Sequence, residues 1–234
     1  YGAIVNRING NYDESVHIAA EVSESNGYYV VSDTSYEGYT DIPKDVMQGY
    51  TVMVDEALKQ MDTVPTHVFL QGGVGGFPAA VVSFLVESLE NPPKFVVVEP
   101  VNADCLFQSA KNGKPTAVHG ELDTIMAGLA CGEVSVLAWA ILESYVSHFM
   151  TITDNSIPEA MKLLSNRDVP IVAGESAVTG LAGFLIASNS KELREKLMIN
   201  ENSKILFFGT EGDTDEEMYE KLVGKSSEEV LAVI

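Results

Sequence analysis

The segment of this sequence with the clearest chemistry is a run of glycines, QGGVGG, at residues 71–76. Residues 66–71 predict a strand directly before it, and residues 77–90 predict a helix directly after it. Glycines at such a junction leave backbone N–H groups bare at a helix N-terminus, where the amides and the helix dipole both attract an anion. The run is not a Walker A loop and departs from G-x-G-x-x-G. A tight turn is the alternative, but the flanking elements favour a phosphate site.

Polar side chains also follow other predicted strands, and Asp33 has the strongest claim to reactivity among them. It ends the strand predicted at residues 28–33. A carboxylate there could remove a Cα proton or bind an amino group, and a turn or capping aspartate is the alternative. Glu99 and Glu175 could shape a cofactor site or serve as hydrogen-bonded structural anions. Thr210 follows the last predicted strand, where a turn or helix cap is the simpler interpretation.

The remaining reactive residue types form no recognisable site. No pair among the histidines has metal-ligand spacing on one helix face, and the spacing of Cys105 and Cys131 fits no zinc pattern, so we expect no metal. The two cysteines are expected to be buried thiols, although a single bridge between them stays open. The absence of a G-x-S-x-G motif argues against an α/β-hydrolase.

The composition argues against two classes of partner. Acidic residues number 34 against 14 basic ones, for a formal net charge of −20, and no Lys/Arg cluster is present to neutralise nucleic-acid phosphates. No apolar stretch is long enough to predict a membrane span, and the first ten residues lack the pattern of a secretory signal. We therefore expect a cytoplasmic protein without nucleic-acid or membrane partners.

The elements that must position these residues alternate along the chain. Short apolar runs predict strands at 2–8, 28–33, 66–71, 94–100, 170–174 and 204–209. Amphipathic stretches predict helices at 12–27, 43–62, 77–90, 102–113, 134–149, 157–166, 176–188 and 191–197. This alternation predicts an α/β fold with a mostly parallel sheet flanked by helices, in which ligands bind at the carboxyl ends of the strands.

Several segments together resemble a known family. THVFLQGGVGG, FVVVEP, GESAVTGLAG and FFGTEGDTD, in that order, resemble the large domain of fold-type II, tryptophan-synthase-β-like, pyridoxal-phosphate (PLP) enzymes. Within that group, DTSYEGYTDIPKDVMQGY, VEPVNADC, IMAGLACGE and GTEGDTD resemble the C-terminal portion of the diaminopropionate ammonia-lyases. The resemblance extends from about Asn11 to Tyr219.

This resemblance implies an activity and a role for each matching residue. The activity is PLP-dependent α,β-elimination of 2,3-diaminopropionate, a small amino-acid substrate, to pyruvate and two ammonia in a homodimer. Thr210 would face the pyridine nitrogen and leave it largely unprotonated. Asp33 would be catalytic and serve the D enantiomer. Tyr12 would belong to the substrate pocket, and a surface aromatic at the start of a helix is the alternative. The PLP phosphate would be held by backbone amides of Gly72, Gly73, Val74, Gly75 and Gly76.

The lysine that such enzymes need for covalent attachment of PLP is not recognisable here. The resemblance places it upstream, in the N-terminal part of the family's chain, and no lysine of this sequence has a matching context. We therefore expect the sequence to start after that lysine and the chain alone to be inactive. Residues 1–33 would be a remnant of the small domain, and residues 34–234 the large PLP-binding domain.

Other functions stay open at this point. Another PLP lyase of the same fold, similar to threonine or serine dehydratase, would use the same phosphate loop. A non-catalytic module could hold a phosphate-bearing ligand without chemistry, and a non-catalytic paralogue could be kept for assembly.

Overall fold

A parallel sheet forms the centre of the computed structural model, which describes residues 2–232. Its strands are β1 (His67–Gln71), β2 (Lys94–Pro100), β3 (His148–Ile152) and β4 (Ile205–Phe207), arranged in the order β3-β2-β1-β4. All of β1 is buried, as is β2 after its first residue. Because helices cover both faces of the sheet, these central strands are almost continuously apolar.

The helices follow the alternation expected from the sequence. In chain order they are α1 (Tyr12–Asn26), α2 (Asp41–Gln60), α3 (Gly76–Ser88), α4 (Cys105–Asn112), α5 (Val136–Tyr145), α6 (Ile157–Ser165), α7 (Thr179–Asn189), α8 (Lys191–Leu197), α9 (Glu216–Val223) and α10 (Ser227–Leu231). No helix within residues 2–232 is long and apolar enough to cross a bilayer.

The strand side chains build two hydrophobic clusters, one on each face of the sheet. Val68, Leu70 and Phe95 pack with α2, α3 and α5 on one face. Phe69 and Val96 pack with α6, α7 and α9 on the other. Successive strand residues point to opposite faces, so one short strand supplies both clusters. The predicted α/β class with a parallel sheet between helices is confirmed.

Helix α1 is well defined by its own sequence but contributes no buried residue. The side chain of Asn11 accepts from the Glu14 N–H at 3.1 Å, and the Glu14 carboxylate accepts from the Asn11 N–H at 2.8 Å, which forms a capping box. Gly27 ends the helix at φ +67°, in the left-handed region that glycine favours. Tertiary contacts of α1 come mainly from its first turns and are polar.

Three predicted strands are wrong, at residues 2–8, 28–33 and 170–174. The first two leave large apolar side chains in solvent, as shown by Ile4 at 92% and Val31 at 74% exposure. A strand needs a neighbouring strand for its backbone hydrogen bonds, and none pairs with these runs in the described chain. Around residues 30–32 the hydroxyl of Tyr39 takes that place, accepting from the Ser32 N–H and donating to the Val30 carbonyl.

The opposite error concerns β3, which lies within the stretch predicted as a helix at 134–149. Helix α5 ends at Tyr145, and the chain then pairs in parallel with β2, with His148 opposite Val96. The apolar pattern continues from the helix into the strand, and pattern alone does not separate a short buried strand from a helical segment.

Candidate active site

A cavity of about 360 Å³ opens at the carboxyl ends of β1 and β4. Its walls include residues that are far apart in the sequence and that the sequence analysis named as candidates: Tyr12, Asp33, Gly73–Gly76 and Thr210. This edge of a parallel sheet is where ligands bind in α/β folds. The volume lies within the usual range for small-molecule and cofactor pockets.

The glycine loop gives this cavity a backbone surface at the N-terminus of α3. Gly75 is the N-cap, adopts φ +99° and provides no side-chain cap. The N–H groups of Gly76 and Phe77 belong to the first helical turn, which has no carbonyl partner for them within the helix. A Cβ built on Gly73 would lie 3.3 Å from the Gly128 carbonyl oxygen. The loop is therefore an amide-lined surface suited to an anion, in the space that side chains would otherwise fill.

Gly72 has a different place from the other glycines of the run. It is buried and does not line the cavity. Its N–H donates to the Val98 carbonyl at 2.9 Å, so that amide continues the sheet pairing. A Cβ on Gly72 would lie 2.8 Å from Val97 Cγ1 and 2.9 Å from Leu106 Cδ1. Its glycine is required by close packing between β1, β2 and α4.

Asp33 and Tyr12 meet at the wall of the cavity. The Tyr12 hydroxyl donates to Asp33 Oδ1 at 3.0 Å, and Tyr12 Oη lies 2.9 Å from Thr34 Oγ1. Thr34 Oγ1 also donates to Asp33 Oδ1, at 3.3 Å. Burial, together with the negative charge of Asp33, raises the pKa of Tyr12 to about 12, so the hydroxyl stays a donor at neutral pH. Asp33 does not end a strand as predicted, and these hydroxyls are what hold it.

The first turn of α1 brings Tyr12 to this position. The Asp13 carboxylate accepts from the Gly132 N–H at 2.9 Å and from the Glu133 N–H at 3.3 Å. His17 Nε2 lies 3.3 Å from a carboxylate oxygen of Glu133. These contacts attach α1 to the loop after residue 131, at the edge of the cavity.

Thr210 is exposed on the cavity and stands beside the buried Gln71. Nε2 of Gln71 donates to the Phe208 carbonyl at 2.9 Å and to Thr210 Oγ1 at 3.5 Å. Gln71 was recognisable in the sequence as the polar end of an apolar strand, but its contact with Thr210, 139 positions away, was not.

A further part of the cavity wall consists of segments joined by hydrogen bonds. Glu211 Oε2 accepts from the N–H groups of Ser176 and Ala177, at 2.7 and 3.2 Å. Ser176 Oγ in turn accepts from the Gly128 N–H at 3.0 Å. Thr210 is next to Glu211 in the chain, so this network couples its position to residues 127–131. The sequence pattern carried no sign of these connections.

Both cysteines are free and buried, and Cys131 lines the cavity. Burial, reinforced by the charges of Asp13 and Asp33, raises the pKa of Cys131 to about 12, and burial raises that of Cys105 well above its ordinary value. Both groups are therefore neutral thiols at physiological pH. Cys105 Sγ lies 3.6 Å from the Gly73 carbonyl oxygen, to which it donates.

Glu99 lies near the end of β2, whereas Glu175 follows residues 170–174, which form no strand. Glu99 is fully buried and accepts from the N–H groups of Leu106 and Phe107 at 2.9 and 2.7 Å, so it caps α4. Burial raises the pKa of Glu99 well above its ordinary value, while these two hydrogen bonds lower it. Burial, with the charge of Glu211 nearby, also raises the pKa of Glu175. Neither glutamate lines the cavity.

None of the residues that line the cavity in the described part of the chain is a lysine. The cavity thus offers backbone amides, hydroxyls, the side-chain amide of Gln71, the carboxylates of Asp33 and Glu211 and a thiol, but no lysine amine. Within residues 2–232, no group of three histidine, cysteine or carboxylate residues is arranged to hold a metal ion.

The chain belongs to a family of PLP enzymes. The family model described as "Pyridoxal-phosphate dependent enzyme" matches residues 1–208. An amide-lined helix N-terminus, a cavity of cofactor size and the Thr210 hydroxyl after the neighbouring strand fit a flat, phosphate-bearing ring.

Within this family the chain is similar to diaminopropionate ammonia-lyases, as the sequence resemblance indicated. It is 40% identical over 225 residues to the diaminopropionate ammonia-lyase of Escherichia coli (strain K12), covering 91% of this chain and 56% of that protein. The chain therefore spans little more than half the length of this relative.

Solved structures agree with the sequence comparison. The holo diaminopropionate ammonia-lyase of Escherichia coli superposes with a TM-score of 0.86 at 37% identity, covering 99% of this chain and 59% of that one. The same enzyme in complex with an aminoacrylate-PLP azomethine reaction intermediate gives a TM-score of 0.85 at 37% identity, over 97% of this chain and 60% of that one. The predicted fold-type II architecture is confirmed.

Proposed function

We propose that this chain forms the cofactor- and substrate-binding part of a PLP-dependent ammonia-lyase acting on 2,3-diaminopropionate. The overall reaction consumes one water and yields pyruvate and two ammonia. The observation that carries the proposal is one cavity that unites the glycine loop, Asp33, Tyr12 and Thr210. The 40% identity to the Escherichia coli enzyme supports the choice of substrate.

In this proposal the glycine loop holds the cofactor phosphate. The amides of Gly73, Val74, Gly75 and Gly76 and the N-terminus of α3 supply donors and a positive dipole end toward the anion. Gly72 supports the loop by packing, because its N–H is already bound to Val98. Bound PLP supplies an electron sink for the charge that develops at the substrate Cα.

Asp33 is the proposed base at one face of the substrate. Its Oδ1 receives hydroxyl donors from Tyr12 and Thr34, which holds the carboxylate at the cavity wall. A fixed carboxylate can accept the Cα proton when the substrate lies within hydrogen-bonding reach. Loss of the β-amino group follows from the charge left at Cα. Tyr12, predicted as a substrate-pocket residue, acts in this proposal both as pocket wall and as the donor that fixes Asp33.

Product stoichiometry tests the substrate. The protein, in the longest form that its gene encodes, is incubated with DL-2,3-diaminopropionate or with DL-serine, and pyruvate and ammonia are both quantified. We expect two ammonia per pyruvate and a much higher kcat/KM for diaminopropionate. One ammonia per pyruvate, with serine or threonine the better substrate, would instead identify a dehydratase.

The role of Asp33 is tested on single enantiomers. Asp33→Asn keeps the shape of the side chain but removes its basicity, so we expect turnover of the D enantiomer to fall by about a hundredfold or more. Turnover of the L enantiomer should fall much less. A larger loss for the L enantiomer would show that Asp33 does not serve the D form.

A second function is favoured by one observation, that no cavity-lining residue of the described chain is a lysine. By itself the chain would then be a phosphate-ligand-binding module, inactive and without covalent attachment of PLP. PLP is added to the purified chain, which is treated with borohydride and analysed by mass spectrometry, and pyruvate production is assayed separately. Non-covalent binding without pyruvate supports the module, whereas a reduced lysine adduct together with pyruvate excludes it.

We also propose that residues 1–33 belong to a different domain from residues 34–234. Supporting this, α1 buries none of its residues and joins residues 34–234 through polar contacts of Tyr12 and Asp13. A cytoplasmic homodimer completes the proposal, supported by the family resemblance. Light scattering of the full-length protein tests the dimer, and a monomeric mass would reject it.

A further inference from the structure

The strongest unused feature of the site is the side chain of Gln71, the last residue of β1. It is 5% exposed and lines the cavity beside Thr210. Its Nε2 donates to the Phe208 carbonyl at 2.9 Å and to Thr210 Oγ1 at 3.5 Å. Its Oε1 is buried and has no hydrogen-bond partner within the described residues.

Chemistry determines which end of this amide faces Thr210. The carbonyl oxygen of Phe208 can only accept a hydrogen bond, so the NH₂ end of Gln71 must point toward it. An amide nitrogen has no free lone pair to offer, so at the second contact the Thr210 hydroxyl must be the acceptor. The single hydroxyl proton of Thr210 is then left for a different partner.

We propose that Gln71 is a positioning residue that sets the hydrogen-bond direction of Thr210, so that the Thr210 hydroxyl donates a hydrogen bond to the pyridine nitrogen of bound PLP. This inference rests on the proposed function, and it takes the position of that nitrogen, opposite Thr210, from the family resemblance. A donor aimed at the nitrogen lone pair stabilises the unprotonated ring and disfavours the pyridinium form.

The unpartnered oxygen of Gln71 supports this assignment. A buried amide oxygen without a partner is unfavourable, and buried polar groups are normally satisfied. In Gln71 only the NH₂ end of the amide has partners. The Phe208 carbonyl fixes the orientation of the amide, and Thr210 is the second acceptor. An apolar residue of similar length would avoid the orphan oxygen but would leave the Thr210 hydroxyl free to rotate.

Reversing the polarity at residue 71 gives a sharp test. In Gln71→Glu a carboxyl oxygen replaces Nε2 beside Thr210 and becomes an acceptor. Any proton that the carboxyl carries is drawn to the Phe208 carbonyl. The Thr210 hydroxyl then donates to residue 71 and turns its lone pairs toward the ring nitrogen, which favours the protonated ring. Gln71→Met removes the donor without supplying an acceptor.

The experiment uses the full-length protein loaded with PLP labelled with ¹⁵N at the ring, whose NMR shift distinguishes protonated from unprotonated nitrogen. We expect an unprotonated ring in the wild type at neutral pH and a protonated one in Gln71→Glu. In Gln71→Met the ring should titrate about one pH unit higher than in the wild type, corresponding to about a tenfold change in equilibrium. Gln48→Glu, an exposed substitution of the same kind on α2, should match the wild type.

The outcomes separate this inference from the proposed function. A protonated ring in the wild type, or unchanged ring titration in both Gln71 variants, would overturn the role of Gln71 even if the enzyme is active. If wild-type protein retains no labelled PLP, the proposed function fails and the inference fails with it. Should Gln71→Glu not fold, Gln71→Met decides the question, because its ring titration must still rise.

Discussion

The sheet and the N-terminal segment of this chain are stabilised in different ways, the first by apolar burial and the second by hydrogen bonds. In the sheet, Phe69 and Leu70 are completely buried, and helices cover both faces. In the segment before residue 33, Ile4 and Tyr29 are exposed by 92% and 76%. There, hydrogen bonds that Tyr12 donates and Asp13 accepts take the place of a core.

This difference divides the candidate site into two parts. The glycine loop rests on β1 and α3, inside the hydrophobic cluster that contains Leu85 and Val97. Asp33 is placed by two hydroxyls, each worth about 1 kcal/mol in net stability. Phosphate binding should therefore tolerate changes near α1, whereas proton transfer should be sensitive to single hydroxyl groups.

The largest expected effect is on the free energy of unfolding, and it is tested by replacing one aromatic residue in each region. Phe69→Ala removes a buried ring that packs edge-on against Phe184 at 5.6 Å and should lower the free energy of unfolding by about 3–5 kcal/mol. Tyr29→Ala should change it by no more than about 0.5 kcal/mol. Urea denaturation measures both, and equal losses would contradict the division.

The glycine loop should show the next largest effect. Gly75→Ala places a Cβ at φ +99°, 3.1 Å from Leu106 Cδ2 and Leu142 Cδ1, and we expect PLP affinity to fall by about tenfold or more. Gly224→Ala is the matched control, because it has a similar φ of +87° but open space around the new Cβ. Fluorescence titration with PLP measures the affinity of both variants. Equal affinities would show that the glycine loop does not bind the cofactor.

Removal of one hydroxyl tests the polar region. Tyr12→Phe deletes the donor to Asp33 Oδ1, so turnover of D-2,3-diaminopropionate by the full-length protein should fall by about tenfold. PLP affinity should change by less than about twofold. Tyr145→Phe removes a hydroxyl from a side chain 52% exposed on α5 and serves as control. A weakened PLP affinity with normal turnover would instead assign the Tyr12 hydroxyl to cofactor binding.

The smallest effect is a pH dependence of stability. Burial raises the pKa of Tyr12 from an ordinary value of 10.0 to about 12. The unfolded chain therefore ionises first, and the contribution of this hydroxyl, complete below pH 10, is lost as pH rises from 10 toward 12. The stability loss over this range should be smaller in Tyr12→Phe than in the wild type. Urea denaturation at several alkaline pH values measures it, and parallel curves would contradict the burial of the hydroxyl.

Sequence patterns alone determined much of this molecule. The strand at 94–100 was predicted with its observed bounds, and the glycine run was correctly placed between a strand and a helix. Continuous apolar runs with glycines at their ends can be recognised from neighbouring residues alone. The apolar run indicates a buried segment, and the glycines indicate where the chain turns. The family resemblance follows from the same short segments.

The tertiary structure decided which apolar runs become strands and which polar groups meet. Residues 2–8 and 148–152 are both apolar, but only the second finds a partner strand, since pairing depends on a neighbour supplied by another part of the chain. In the same way, Tyr12 reaches Asp33 across 21 positions and Gln71 reaches Thr210 across 139. Hydrogen-bond direction and proton position depend on distances of a few ångströms between distant segments, and no local pattern in the sequence encodes them.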